Sequence, residues 1–173
     1  MVQQDRAQNI TRMARCDEPI RFESLSEYAC AKLLEEYTNW RAHTGATFQI
    51  PVGRTVFDFR IEDTLVEYHP ISLRREFLTD ALGSIMSAAH RLSRADKLQL
   101  MEAISKELAA QYAKRRAQTL SAHPTYKDMD FICVHSPDEF IRQVVYRFAN
   151  RRCPSVKQLE MKFRQLQNSF RLD

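Results

Sequence analysis

The chain is predicted to be α/β, a mixed β-sheet flanked by helices with an antiparallel hairpin inside the sheet. Three observations predict it. Segment 54–69 has two arms, Arg54 to Ile61 and Thr64 to His69, rich in β-branched and aromatic residues around the short polar centre Glu62-Asp63. A further apolar run, Asp130 to Val134, is bounded by polar residues and reads as a buried strand. Helix-period stripes lie before, between and after these strands. Such alternation builds a sheet covered by helices.

The elements follow in order. Residues 1–21 carry Arg6, Arg12 and Arg15 with no periodicity and read as a flexible basic arm. Ser24 to Glu27 has capping-box form, and Ala29, Leu33, Leu34 and Tyr37 form the stripe of the helix it starts. Glu27 thus has a structural explanation as its own helix's cap. Glu35 and Glu36 are expected to face solvent. Thr47 to Pro51 alternates weakly and is read as a first strand ended by Pro51. The hairpin comes next, and Pro70 stops its second arm. Phe77, Leu78, Ala81, Leu82, Ile85 and Ala89 predict a helix over 73–91, weakened by Gly83. Ser93 to Asp96 caps another, with the stripe Leu98, Met101, Ile104, Leu108 and Tyr112, running to about Leu120. Lys114, Arg115 and Arg116 sit in its last turns, where the helix dipole favours cations. After the strand 130–134, Ser136-Pro137-Asp138-Glu139 starts a helix with the buried face Phe140, Ile141, Val144, Val145 and Phe148. A break at 150–154 leads to a last helix over 155–169, with Leu159, Met161, Phe163 and Leu166 as its apolar members.

Bulk properties narrow the class. The chain has 173 residues, 44% of them hydrophobic, and only 3 Gly, which predicts one domain with a sizeable core. No apolar run approaches the roughly 20 residues of a membrane span, and the polar first 20 residues lack a signal-peptide pattern. No membrane partner is expected. Cys16, Cys30, Cys133 and Cys153 are scattered, with no CxxC pair, and read as reduced thiols of a cytoplasmic protein. The net charge of +4 permits a nucleic-acid partner without demanding one. No P-loop, GxGxxG, GxSxG or HExxH occurs, so a nucleotide-driven motor, a dinucleotide oxidoreductase, a serine hydrolase and a zincin lack support.

The hairpin's register carries the chemistry. With a two-residue loop, Ile61 pairs with Thr64, Asp58 lies opposite Glu67, and Val56 lies opposite His69. Strict alternation then puts Asp58, Glu67 and His69 on one face. Two opposed carboxylates repel. A divalent cation between them is one solution, since carboxylates converging with a nitrogen ligand suit a metal. Neutralisation by Arg60 is another, and a slipped register is a third, because Glu-Asp is a weaker turn signal than Asn-Gly.

Together these residues resemble the PD-(D/E)XK nuclease superfamily, the restriction-endonuclease-like fold. Phe57-Asp58-Phe59 is similar to the family's Pro-Asp-Phe, and Glu67-Tyr68-His69 stands where the family has Glu-x-Lys. Ser24 to Glu27, followed by Leu33 and Leu34, looks like the first helix, whose early acid often joins the metal site. Tyr112 to Leu120, Phe131 to Val134 and Ser136 to Ile141 look like the closing helix, strand and helix. The resemblance covers roughly 22–69 and 108–145. It implies a nuclease-like domain over 22–149, a helical insertion at 71–107 and an appended C-terminal helix over 150–173.

The resemblance implies a metal-dependent endonuclease that hydrolyses DNA phosphodiester bonds. Asp58, Glu67 and the main-chain carbonyl of Tyr68 would ligate Mg²⁺ or Mn²⁺, with Glu27 helping. His69, replacing the family's lysine, would position or deprotonate the attacking water. Lys114, Arg115 and Arg116 would hold the nucleic-acid backbone. The histidine also fits a scaffold that binds nucleic acid without cutting it. A third class is an interaction subunit of a larger DNA-processing complex, or a homodimer formed through the helices at 73–120. Segment 140–166, with Arg151 and Arg152 in its break, has helix-turn-helix proportions suited to DNA. It equally fits a helical hairpin with a solvated basic face.

Overall fold

A computed structural model describes residues 20–70 and 92–169, together with the backbone of 9–11. The expected helix over 73–91 lies outside the described residues. The chain divides into two compact units, residues 1–69 with 120–173 and residues 70–119.

The first unit is built on a four-stranded mixed sheet flanked by helices. After a two-stranded pair, β1 (Asn9–Thr11) and β2 (Ile20–Phe22), come α1 (Leu25–Tyr37), β3 (Phe48–Val52), β4 (Thr55–Ile61) and β5 (Thr64–Tyr68). Helix α2 (Arg94–Ser121) crosses from the second unit into the first. Strand β6 (Asp130–Val134), a short helix α3 (Pro137–Phe140), a π-helical turn (Ile141–Val145) and α4 (Val156–Ser169) complete the chain. The sheet order is β3-β4-β5-β6. Strands β3, β4 and β5 form an antiparallel meander, and β6 runs parallel to β5.

Local chemistry explains these starts and stops. Ser24 caps α1 by accepting the Glu27 N–H at 3.0 Å, and Ser136 caps α3 by accepting the Glu139 N–H at 3.2 Å. The β4–β5 loop is the two residues Glu62 and Asp63, with Glu62 at φ 53°, so the chain reverses at once and Ile61 faces Thr64. Two apolar clusters cover the sheet. The larger joins Phe22, Trp40, Phe48, Phe59, Tyr68, Phe140 and Phe163 with the inner sides of α1 and α4. The smaller gathers Ile50, Val52, Phe57, Leu65 and Leu120 under Tyr126, Met129 and Phe131.

Several expectations are corrected. Part of the 1–21 arm is strand: Asn9 pairs with Phe22 and Thr11 with Ile20. Pro51 does not end β3 but pairs with Val56 inside it. A proline is tolerated there because β3 is an edge strand with no neighbour needing its N–H. Glu35 and Glu36 are ion-paired, Glu35 with Lys32 and Glu36 with Lys162 of α4. Burial works to raise the Glu36 carboxyl, yet the Lys162 and Tyr37 hydrogen bonds and the Lys162 charge leave it below its ordinary value. Met161 is 51% exposed, whereas Leu159 and Phe163 on the same helix are fully buried. The helix from Ser136 is α-helical for four residues only before widening into the π turn. The last turn of α2 holds no basic residue, because the helix continues past Lys114, Arg115 and Arg116 to Ser121. The dipole account of that cluster falls away.

Candidate functional site

Asp58 lies at the middle of β4, between Phe57, whose ring packs in the smaller cluster, and Phe59, in the larger. Two residues of like parity on one strand should share a face. Here they do not. On β3 the same switch separates Phe48 from Ile50, and Gln49 between them has φ 49°. The register puts Gln49 beside Asp58, since Phe48 pairs with Phe59 and Ile50 with Phe57. The β3–β4 strand pair therefore turns over at the Gln49–Asp58 row. A positive φ at a non-glycine residue costs energy and persists only where its surroundings enforce it.

The β4–β5 register is as expected, Ile61 with Thr64, Arg60 with Leu65 and Phe59 with Val66. Continued one step, it sets Asp58 against Glu67. The ladder closes before that step. The Tyr68 N–H, which a longer ladder would direct at the Phe57 carbonyl, donates instead to Asp58 Oδ2 at 2.7 Å. The Asp58 side chain thus replaces a strand carbonyl and ties its carboxylate to the Glu67–Tyr68 peptide. The expected common face of Asp58, Glu67 and His69 rested on unbroken alternation, which fails at this row.

Glu67 is 3% exposed. On its other side β6 supplies Cys133 as its in-register partner. One row across the sheet therefore reads Gln49, Asp58, Glu67, Cys133. Arg60 is directed at the turn, where its Nε donates to the Glu62 carbonyl at 3.2 Å.

His69 lies just beyond β5. Its N–H donates to the Val134 carbonyl at 2.9 Å. Its own carbonyl is 2.7 Å from His135 Nδ1. A carbonyl only accepts, so His135 carries its proton on Nδ1, and its Nε2 lies 3.7 Å from Cys133 Sγ. The Tyr68 ring packs edge-on against Phe140, 5.9 Å between centroids, and its hydroxyl is pushed well above the ordinary tyrosine value by burial. Its carbonyl shares the residue whose N–H Asp58 holds.

Glu27, 6% exposed, turns back toward its own helix start: its Oε2 accepts the Glu23 N–H at 2.5 Å. Burial pushes its carboxyl up to about 7, against the hydrogen bonds from Glu23 N–H, the Gln49 side chain and Ser24. One turn along α1, the Cys30 thiol is pushed up by burial first and then by the charges of Asp58 and Glu27. Glu27 and Asp58 therefore both act on one buried thiol, and the Gln49 side chain donates to the Arg21 carbonyl at 3.2 Å.

Among the described residues, no three His, Cys, Asp or Glu side chains form a group able to hold a metal ion. Asp58, Glu67 and the Tyr68 carbonyl offer two carboxylates and one main-chain oxygen. Lys114 and Arg115 are exposed and Arg116 is half-buried on α2, all three within the second unit. The Arg116 guanidinium lies over the Tyr112 ring, and its Nε donates to the Tyr112 hydroxyl at 2.9 Å. Arg151 and Arg152 are exposed in the loop before α4.

Sequence reasoning missed Gln49, Cys30, Cys133 and His135. Extending the meander one strand each way from Asp58 and Glu67 finds Gln49 and Cys133. His135 had a weaker signal, a second strand-end histidine immediately before a helix cap. No family model, no curated protein and no solved structure matches the chain.

Proposed function

We propose that this chain is a metal-dependent nuclease of the restriction-endonuclease-like fold, cutting DNA phosphodiester bonds at the Asp58–Glu67 row. The observation that carries the reading is the Asp58 carboxylate bound to the Tyr68 N–H. It holds one acid at the peptide of the other, at the break in a meander whose third strand is followed by a parallel fourth. Helix, three antiparallel strands, helix and parallel strand is also the order of elements that the sequence resemblance implies.

Two carboxylates and a main-chain carbonyl are hard oxygen donors and fit Mg²⁺ or Mn²⁺ with waters completing the shell. Asp58, Glu67 and the Tyr68 carbonyl would hold the ion, which when bound supplies an acidified water and neutralises phosphate charge. Glu27 is engaged with Glu23 and Ser24 at its own helix start. His69 stands one residue past the carbonyl donor, where a neutral imidazole accepts a proton from water. The His135 hydrogen bond fixes the His69 backbone. Lys114, Arg115, Arg116, Arg151 and Arg152 would serve the nucleic-acid backbone.

The test is cleavage of plasmid, single-stranded and branched DNA with Mg²⁺ or Mn²⁺. Cutting is expected, abolished in Asp58→Ala and reduced about 10²- to 10⁴-fold in His69→Ala. Calorimetry should detect metal binding that Asp58→Ala removes. Intact DNA in every arm, with no metal heat, sinks the proposal. A second reading is a silent nucleic-acid-binding or interaction subunit on the same scaffold. It is favoured by the lack, among the described residues, of three His, Cys, Asp or Glu side chains grouped to hold a metal, and DNA binding without cleavage would select it.

A further inference from the structure

The segment after the π turn builds a second feature. Tyr146 is 38% exposed. Its N–H closes on the Ile141 carbonyl at 2.9 Å, a step of five residues. That step is one residue longer than an α-helical turn and rotates Tyr146 by about 100° from where a regular helix would aim it. The hydroxyl donates to the Pro154 carbonyl at 2.8 Å, so the ring is held across the following loop. Tyr146, Ala149, Arg151, Cys153, Pro154 and Ser155 line a shallow, open depression of about 440 Å³.

The loop under this cavity is pinned. Ala149 bridges to Thr38, and the Asn150 N–H donates to the Tyr37 carbonyl at 3.0 Å. Cys153 Sγ contacts the Arg151 carbonyl at 3.8 Å, and Ser155 caps α4 through Gln158. The charge of the segment itself has one sign, although Glu36 of α1 lies within electrostatic reach of Arg151. Arg151, Arg152 and Lys157 are exposed, and no acid lies between Phe148 and Gln158. Nearby Arg142, Arg147 and Lys162 are engaged by Asp138, Asp130 and Glu36. Arg151, Arg152 and Lys157 form no salt bridge among the described residues.

We propose that this pocket takes one unpaired base of a single-stranded nucleic acid, stacked on Tyr146, with the flanking phosphates on Arg151, Arg152 and Lys157. An aromatic ring beside exposed cations is the combination that grips a single strand, the ring taking the base face and the cations the backbone. In a duplex the base faces are already stacked on one another and cannot reach the ring. The hydrogen bond to Pro154 holds the ring beforehand, so little side-chain freedom is lost on binding.

The experiment is fluorescence-anisotropy binding of a 12-nucleotide mixed-sequence DNA to the full chain in EDTA. Metal-free conditions separate this outcome from that of the cleavage reading. Tyr146→Ala is expected to weaken binding about tenfold, and Tyr146→Phe to stay within about twofold, because the ring remains. Arg151→Ala and Arg152→Ala should each flatten the salt dependence by about 0.7. The same sequence as a duplex should bind equally to wild type and Tyr146→Ala. Absence of single-strand binding, an unchanged Tyr146→Ala, or an equal loss on the duplex would overturn the proposal. So would deoxyadenosine monophosphate competing as tightly as the 12-mer, which would make the pocket a mononucleotide site.

Discussion

Two helix starts in this protein carry the same device in different surroundings. At α1, Ser24 Oγ accepts the Glu27 N–H, and the Glu27 carboxylate reaches back to the N–H of residue 23. At α3, Ser136 Oγ accepts the Glu139 N–H, and the Glu139 carboxylate reaches back to the N–H of residue 135, at 2.7 Å. The local bonds are interchangeable, but the packing is not. Glu27 is buried near the Gln49 side chain, whereas Glu139 is half-buried just after β6. The capping motif sets the start of a helix, and the tertiary layer above it sets the state of the acid.

The largest way to separate the two starts is through pH. A carboxyl raised to about 7 favours its protonated form in the folded state. Its stabilisation is full below about pH 4.5 and is lost as pH climbs toward 7. That window corresponds to about 3 kcal/mol. Urea unfolding of wild type at pH 4.5 and pH 7.5 should show this loss, and Glu27→Gln should remove most of it. An equal slope in the two proteins would mean that burial does not govern Glu27. Smaller effects come from the caps themselves. Ser24→Ala and Ser136→Ala should each cost about 1 kcal/mol, because each removes one acceptor from the same kind of N–H. A thermal melt that separates the two by more than about 1 kcal/mol would break the equivalence. The smallest effect is expected from Glu139→Gln, about 0.5 kcal/mol or less, since Gln keeps an oxygen toward the His135 N–H at a partly solvated position.

The starts of α1 and α3 and the hairpin register were legible in the sequence because each depends on residues within ten positions of one another. Ser24, Glu27, Ser136 and Glu139 announce their bonds by spacing, and Glu62-Asp63 fixes the pairing of Ile61 with Thr64. The turnover at Gln49 and Asp58 was not legible. Nothing about a glutamine signals a φ of 49°, and the switch follows from two clusters pulling Phe48 and Ile50 to opposite faces. The π turn was hidden for a similar reason. Ile141, Val144 and Val145 satisfy an α-helical stripe and a widened turn equally well. Of the acids picked out by pattern, Asp58 and Glu67 adjoin at one peptide, whereas Glu27 is spent on its cap. The pattern contained no statement of where each carboxylate would find its hydrogen bond.

The parallel pairing of β5 with β6 has a kinetic consequence. Thr64 aligns with Asp130, so the strand that completes the sheet is separated from its neighbour by the entire second unit. The hairpin of β4 and β5 closes over two residues, while β6 must wait until a long loop has brought its ends together. Loop-closure entropy grows only logarithmically with length, so the cost at equilibrium is modest, about 0.6 kcal/mol for each doubling. The rate is affected more, because a distant pairing gains nothing until closure is nearly complete. The meander should therefore form before the β5–β6 edge. Glu67 would acquire Cys133 as its neighbour only after the hairpin is in place.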